Sequence, residues 1–328
     1  MTQPPQRPIL IAGMGSIGRR HLRIMRAAGW TNFVLYRTGK STLPDVEQEI
    51  VGLPSFSDLD EALAQKPLAA IIANPTALHL KTAIQAARAG CHLLIEKPVS
   101  HQRYDIDELV RVVAEQRVQV MVGFQFRFHP TLKRIKAWLD EDRIGQIVHA
   151  DASWGEYLPN WHIWEDYKDS YAARAELGGG VALTLCHPFD YLRWLIGEVV
   201  DVKAMSANRG QLDIAVEDTA DALLKFENGA VGHVHVDYLQ RPPAHTLRIT
   251  GSRGLIVWDN ADGIARIWQN GSDQPDTARP PEGFERDHLF KEQWNDFSVS
   301  IVENRPPRCT LHDGIRALEI ALTVRDSL

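Results

Sequence analysis

The run LLIEKPVSHQ, residues 93 to 102, holds apolar strand formers up to an acid, a lysine and a proline in immediate succession. In an open α/β sheet, ligands lie beyond the carboxyl ends of the strands. Lys97 therefore stands where an ammonium group can act on a bound molecule, with Glu96 beside it to counterbalance and orient it. Pro98 fixes the sharp exit and suits a cis peptide bond. A second candidate lies in GGGVALTLCHPFDYLRW, residues 178 to 194. Its glycines give a flexible approach to a helix on which Thr184, His187 and Asp190 recur at spacing three and share a face. An imidazole titrates near working pH, which makes His187 the natural acid/base of the stretch. Taken alone, an exposed lysine beside a loop proline and a packed structural histidine explain the same letters.

A third motif, GMGSIG at residues 13 to 18, follows a short apolar strand and opens a helix that ends before Gly29. In that context Gly13 permits a tight turn, Gly15 the close approach of a pyrophosphate, and Gly18 the packing of helix on strand. The N–H groups at the helix start, those of Ser16 and Ile17, would hold the anion together with the helix dipole. The acid that binds the ribose 2′-hydroxyl of NAD is missing from the end of the second strand. LYRTGKST offers Arg37, Thr38, Lys40 and Ser41 instead, cationic and hydroxyl groups suited to a 2′-phosphate. NADP is expected in preference to NAD, the alternative being that Arg37 stacks on the adenine.

Two further stretches invite ligands. WGEYLPNWHIWEDY, residues 154 to 167, sets aromatic rings among acids and amides, a pattern able to stack on the apolar faces of a sugar while polar neighbours bond its hydroxyls. Trp161 and His162 are its principal candidates for substrate binding, with hydrophobic packing between domains as the competing explanation. HVHVD aligns His233, His235 and Asp237 on one strand face. An exposed or interface stripe accounts for that alternation, and no metal is expected.

These residues need a frame to position them. Up to about residue 125, apolar runs (PILIAG, NFVLYR, LAAIIANP, CHLLIEKP, VQVMVGF) alternate with helical patterns near 16–28, 57–65, 76–89 and 102–116. Thr76 stands where an N-cap would, and Gly90 follows the last turn of its helix. Repeated βαβ with near-continuous apolar strands predicts an α/β, doubly wound parallel sheet. After about residue 145, longer alternating strands joined by turns such as ENGA predict an antiparallel sheet, with one face covered by helices or by another subunit. The segments 287–304 and 312–327 have helical periodicity, and the last helix is expected to return toward the first domain.

The chain has 328 residues, 44% hydrophobic and 24% charged, enough for two soluble domains. A formal net charge of -6 argues against a nucleic-acid partner, which needs clustered cations in excess. No run approaches the ~18 apolar residues of a membrane span, and the polar N-terminus lacks a signal peptide's apolar stretch. The three cysteines have no CxxC spacing and read as reduced packing residues. A cytoplasmic location is expected.

The motifs together, AGMGSIGRRH, ANPTALH, AGCHLLIEKP, GFQFRFHP and GGGVALTLCHPFDYLRWLIGE, resemble the glucose–fructose oxidoreductase, inositol dehydrogenase and MocA-like family over nearly the whole chain. The resemblance implies a Rossmann domain over residues 1–125. It implies an α+β domain over 126–328 that binds substrate and carries an open antiparallel sheet often used in oligomerisation, so a homodimer or homotetramer is expected. It implies a catalytic lysine at Lys97 and His187 as its partner. Asn74, Pro75, His79, Glu96 and Gln125 become cofactor-side residues, Arg127 a residue near the cleft, and Trp161, His162 and Thr184 substrate-side residues. Thr184 departs from the aspartate that many relatives carry before this histidine, with Asp190 as a partial substitute. The implied activity is interconversion of a secondary alcohol and a ketone on a sugar, sugar derivative or cyclic polyol. Reduction of an imine or double bond, a redox-neutral reaction with tightly held NAD(H), and a non-catalytic dinucleotide sensor are the alternatives.

Overall fold

The computed structural model describes residues 7–39 and 45–328; Lys40 and Ser41 lie outside the described residues. Six strands, β1 (Ile9–Ala12), β2 (Phe33–Tyr36), β3 (Ser55–Phe56), β4 (Ala69–Ile72), β5 (His92–Ile95) and β6 (Val120–Val122), form a sheet in the order β3-β2-β1-β4-β5-β6. Every pair in it is parallel. This is the doubly wound order, in which the crevice for a dinucleotide opens where the strand order reverses, between β1 and β4. The helices of this half are α1 (Ser16–Ala27), α2 (Val46–Glu49), α3 (Leu59–Leu63), α4 (His79–Arg88) and α5 (Ile106–Gln116).

β1 and β4 are buried along their whole length, as strands covered on both faces must be. Ile9 and Ile11 point to one side, into a cluster with Leu22 and Met25 of α1. Leu10 and Ala12 point to the other, into a core with Ala83 and Ala87 of α4 that continues into the second half of the chain. Each isoleucine, leucine or methionine among them contributes about 1.5–3 kcal/mol of burial.

The later helices are α6 (Pro130–Asp140), α7 (Val181–Thr184), α8 (His187–Ile196), α9 (Arg286–Glu303) and α10 (Leu311–Arg325). The first side of the parallel sheet is completed from far along the chain. Phe290 and Trp294 of α9 join its cluster, Phe290 edge-on to His21 and Trp294 edge-on to Trp30. α10 also reaches the first domain, its Gly314 lying against Val99 and Val122.

The second sheet comprises β7 (Ile147–Gly155), β8 (Val199–Ala207), β9 (Thr219–Phe226), β10 (Val231–Asp237), β11 (Ala244–Gly251), β12 (Gly254–Asp259), β13 (Ile264–Gln269) and β14 (Asp276–Ala278), ordered β14-β13-β12-β11-β7-β10-β9-β8. It is mixed rather than purely antiparallel, because β7 and β10 pair in parallel. Ala220, Ala222, Leu224 and Phe226 of β9 face the core, while Asp221, Leu223 and Lys225 alternate outward. Met205, Leu223 and Val231 are exposed on strands β8, β9 and β10. His233 and His235 hydrogen-bond Asp151, Asp221 and Asp237.

Some sequence expectations need correction. Strands β3 and β12–β14 and helix α6 were not read from the sequence, although Pro130 at the first turn of α6 is a start signal. Thr76 does not cap α4; it opens a 3₁₀ turn, Thr76–Leu78, without a side-chain capping bond. The glycines before α7 are closely packed rather than flexible: Cβ atoms on Gly178 and Gly179 would meet Thr76, His101 and the carbonyls of Tyr171 and Ala172 within 3 Å. Among the described residues, no helix is long and apolar enough to cross a membrane.

Candidate active site

The glycine turn sits between β1 and α1 as its spacing requires. Gly13 has φ +98°, and a Cβ there would lie 2.6 Å from the Asn74 nitrogen. A Cβ on Gly18 would fall 1.9 Å from the Gly13 carbonyl oxygen, whereas one on Gly15 would meet nothing within 4 Å. Two of the glycines are thus imposed by contact, and the middle one borders open space. Gly15 is also the N-cap of α1, with no side-chain capping bond and no acid in the first turn. The N–H groups of Ser16 and Ile17 are left for an anion. These features fit a dinucleotide pyrophosphate.

At the ribose end, the Arg37 Nη2 is bonded to the exposed Glu47, while its Nη1 is buried without a partner. Thr38 is exposed beside it. Farther along the switch crevice, Asn74 donates from Nδ2 to Thr82 Oγ1 at 2.9 Å and keeps its Oδ1 buried and unpaired. Pro75 precedes the Thr76–Leu78 turn. The ring of His79 bridges the Asn74 carbonyl, 2.9 Å from Nε2, and the Pro98 carbonyl, 2.8 Å from Nδ1. It therefore straps together the loops after β4 and β5.

The Lys97–Pro98 peptide is cis. Glu96 does not pair with Lys97, as its position beside it led us to expect. Its carboxylate lies on His21 Nε2 at 2.7 Å, both groups buried. Burial opposes ionisation of Glu96, but the bond and charge of His21, with the Lys97 charge, hold its carboxyl below the usual range. Lys97 extends from the first domain to the second, donating from Nζ to the Thr184 carbonyl at 2.6 Å.

Thr184 ends α7 and His187 begins α8, with Leu185 and Cys186 breaking the helix between them. The single helical face expected for Thr184, His187 and Asp190 is therefore absent. His187 is 2% exposed, and its Nδ1 is buried with no partner. Phe124, Phe126 and Trp154 wall the ring at centroid distances of 5.4, 5.0 and 5.3 Å. Burial, then the charges of Lys97, His245 and Arg286, hold His187 well below the ordinary histidine range. The imidazole is therefore held in its neutral form, the one with a nitrogen able to accept a proton.

Asp190 is no substitute for an acid beside His187. Its carboxylate takes a forked set of bonds from Arg127, Nε at 3.1 and 3.0 Å and Nη2 at 2.7 Å. Arg127 also donates from Nη1 to the Arg308 carbonyl at 3.0 Å and lies 3.1 Å from Asp313. Every guanidinium nitrogen is engaged inside the protein. Rather than facing the cleft, Arg127 ties the turn after β6 to α8 and to the start of α10. Gln125 is buried in the same 3₁₀ turn, Gln125–Phe128.

In the aromatic stretch, Trp154 belongs to β7 rather than to the loop, and stacks on His245 at 4.2 Å. Trp161 is half-buried, edge-on to Tyr238 at 5.6 Å, with its indole N–H buried and unpaired. His162 bonds Glu165 from Nδ1 at 2.6 Å and stacks on the exposed Trp164. Sequence reasoning missed His21, Phe124, Phe126 and His245. Only His21, one turn after Gly18 on α1, carried a local signal.

The parallel-sheet dinucleotide fold and the family matches over both parts of the chain define an NAD(P)-dependent oxidoreductase acting on CH–OH groups. Residues 7–124 match the oxidoreductase family with an NAD-binding Rossmann fold, and residues 132–257 match the GFO/IDH/MocA C-terminal domain. The chain belongs to the Gfo/Idh/MocA family. It is 28% identical to an uncharacterized oxidoreductase of Synechocystis sp. over 274 residues, 78% of this chain and 72% of that protein. It is 22% identical to myo-inositol 2-dehydrogenase of Thermotoga maritima, over 97% of this chain and 95% of the other. The fold matches levoglucosan dehydrogenase in complex with NADH and levoglucosan with a TM-score of 0.85 at 21% identity, covering 98% of this chain and 96% of that one.

Proposed function

We propose that this protein interconverts a secondary alcohol and a ketone on a sugar, sugar derivative or cyclic polyol, preferring NADP to NAD, with Lys97 and His187 as the catalytic pair. The observation that carries this reading is the 2.6 Å hydrogen bond from Lys97 Nζ to the Thr184 carbonyl. It brings the lysine of one domain to the segment that leads, three residues later, into the buried histidine of the other. Myo-inositol 2-dehydrogenase, among the relatives, supports the substrate class.

The dinucleotide would be held by the Gly13–Gly18 turn, Arg37, Thr38, Asn74 and Pro75, and its nicotinamide ring, when bound, supplies the hydride acceptor. In the oxidative direction the neutral imidazole of His187 accepts the hydroxyl proton. The Lys97 ammonium donates a hydrogen bond to the same oxygen as it becomes a carbonyl, and preorganised donors of this kind act where charge develops. Trp161, half-buried, offers an aromatic face to the sugar. The half-open pair between Arg37 and the exposed Glu47 is weak, so the guanidinium is available to a 2′-phosphate.

A cofactor-linked assay over a panel of sugars and cyclic polyols tests the reading. Lys97→Met is expected to lose about 10²–10³ in kcat while still binding cofactor, as followed by fluorescence quenching. Full turnover in that variant removes Lys97 from the chemistry.

A further inference from the structure

We propose that Glu217 is a positioning residue for Lys97, acting through the one-turn helix α7; this rests on the role given to Lys97 above. The main-chain carbonyl of Glu217 accepts the Val181 N–H at 3.1 Å, and its side-chain Oε1 accepts the Ala182 N–H at 3.2 Å. These are the first two N–H groups of α7, which an isolated turn leaves unpaired. Gly180, the N-cap, has φ +106°, and a Cβ there would lie 2.4–2.7 Å from the Glu217 carboxylate. The glycine run therefore ends where it does because the carboxylate occupies the space of a side chain.

The opposite end of the same turn holds the lysine. The Thr184 N–H donates to the Gly180 carbonyl at 3.0 Å, closing the turn, and the Thr184 carbonyl accepts the Lys97 ammonium at 2.6 Å. One helical turn thus separates Glu217 from the lysine.

The residue after Glu217 is fixed to the second sheet. Asp218 donates its N–H to the Ala207 carbonyl at 3.0 Å and accepts the Arg209 N–H on both carboxylate oxygens, at 2.9 and 3.1 Å. A single turn is a poor helix on its own, since nucleation fixes several residues for one bond. Anchored to the sheet through Glu217, it becomes a rigid arm that presents one carbonyl to Lys97.

A carboxylate is an expensive cap in this place. Glu217 is 3% exposed, and burying a charged or polar group is costly unless it is bonded. It borders a cavity of about 330 Å³ that is also lined by His101, Leu183, Arg325 and Asp326. Burial pushes its carboxyl up to about 7, against the opposing bonds and the charge of Arg325. The length of the acid supplies reach: Oε1 crosses from the segment before β9 to the Ala182 N–H of α7.

The test compares wild type, Glu217→Ala, Glu217→Asp and Glu217→Gln by kinetics, by cofactor titration and by competitive acetylation of lysines read by mass spectrometry. In Glu217→Ala, kcat is expected to fall about tenfold, the worth of one hydrogen bond to a charged or buried group, with unchanged cofactor affinity. Acetylation of Lys97 rises several-fold in the same variant while that of the exposed Lys81 does not change. Glu217→Asp retracts the oxygen by one methylene and shows the same loss, which carries the test if the alanine variant does not fold. Glu217→Gln keeps an acceptor oxygen at full reach and restores most of the rate and of the Lys97 protection. Wild-type acetylation of Lys97 in a folded Glu217→Ala or Glu217→Asp protein would overturn the proposal. The acetylation readout needs no turnover, so failure of the dehydrogenase reading, seen in Lys97→Met, is separate from failure of this one.

Discussion

Replacing Arg127 with methionine separates the architecture of this site from its chemistry. The guanidinium and the Asp190 carboxylate are 5% and 1% exposed at their side chains and meet in a forked geometry with contacts of 2.7–3.1 Å. Removing one partner of such a buried pair costs about 3–5 kcal/mol, because the other charge remains without compensation. For a protein of this size that corresponds to a drop of about 4–7 °C in the unfolding midpoint. The sign of the pH dependence follows from Asp190. Burial already lifts its carboxyl above the ordinary aspartate range, with Arg127 pulling against it; without Arg127 it rises further. A carboxyl with a folded pKa above its unfolded one stabilises fully below the unfolded pKa and loses that contribution as pH rises through the folded one. The Arg127→Met deficit is therefore larger at pH 8 than at pH 5. Arg127→Met/Asp190→Leu removes both charges and recovers most of the loss. Differential scanning fluorimetry at the two pH values measures the midpoints, and cofactor titration at 20 °C measures binding. A variant that melts with wild type but has lost cofactor affinity would refute this reasoning and return Arg127 to the dinucleotide site.

Two other outcomes are expected at the cofactor and at the base. Arg37→Ala weakens NADPH binding by about 1.5–3 kcal/mol, the worth of hydrogen bonds to a charged group, and leaves NADH nearly unchanged; equal NADPH affinity in variant and wild type would end the case for NADP preference. His187, held below the ordinary histidine range chiefly by burial and the Lys97 charge, stays an unprotonated base as pH falls through ~6.5. Oxidative kcat/KM should accordingly persist at pH 6, and an acid limb centred at or above the ordinary histidine value would place another group in the base's role.

The parts of this protein that the sequence makes legible are those whose physics is local. Strand β1 announces itself by four consecutive buried apolar residues, and the glycine turn by contacts with residues of its own βαβ unit or of the next strand. Lys97 was legible because a strand end in an open sheet is a place with a meaning before any neighbour is known. The parallel pairing of β7 with β10 was not legible, since alternation specifies the face of a strand and says nothing of its direction. The helix break at Leu185 was likewise hidden, for a spacing of three reads as one helix unless something marks the interruption.

What remained unreadable is mostly polar pairing over distance. His21 meets Glu96 across 75 residues, Arg127 meets Asp190 across 63, and the Glu217 carboxylate meets Ala182 across 35. Each pair satisfies a group that burial would otherwise penalise, and each lies directly behind a residue the motifs did reveal. The acid expected to steady Lys97 from the adjacent position is taken by His21, and the acid expected to steady His187 is taken by Arg127. The ammonium consequently has a main-chain carbonyl as its fixed protein acceptor and the imidazole has an aromatic wall. Lys97 Nζ is thus held from the far domain by the Thr184 carbonyl and not by the acid next to it in sequence. His187, buried and without a carboxylate partner, is held in its neutral form by that burial and by the charge of Lys97.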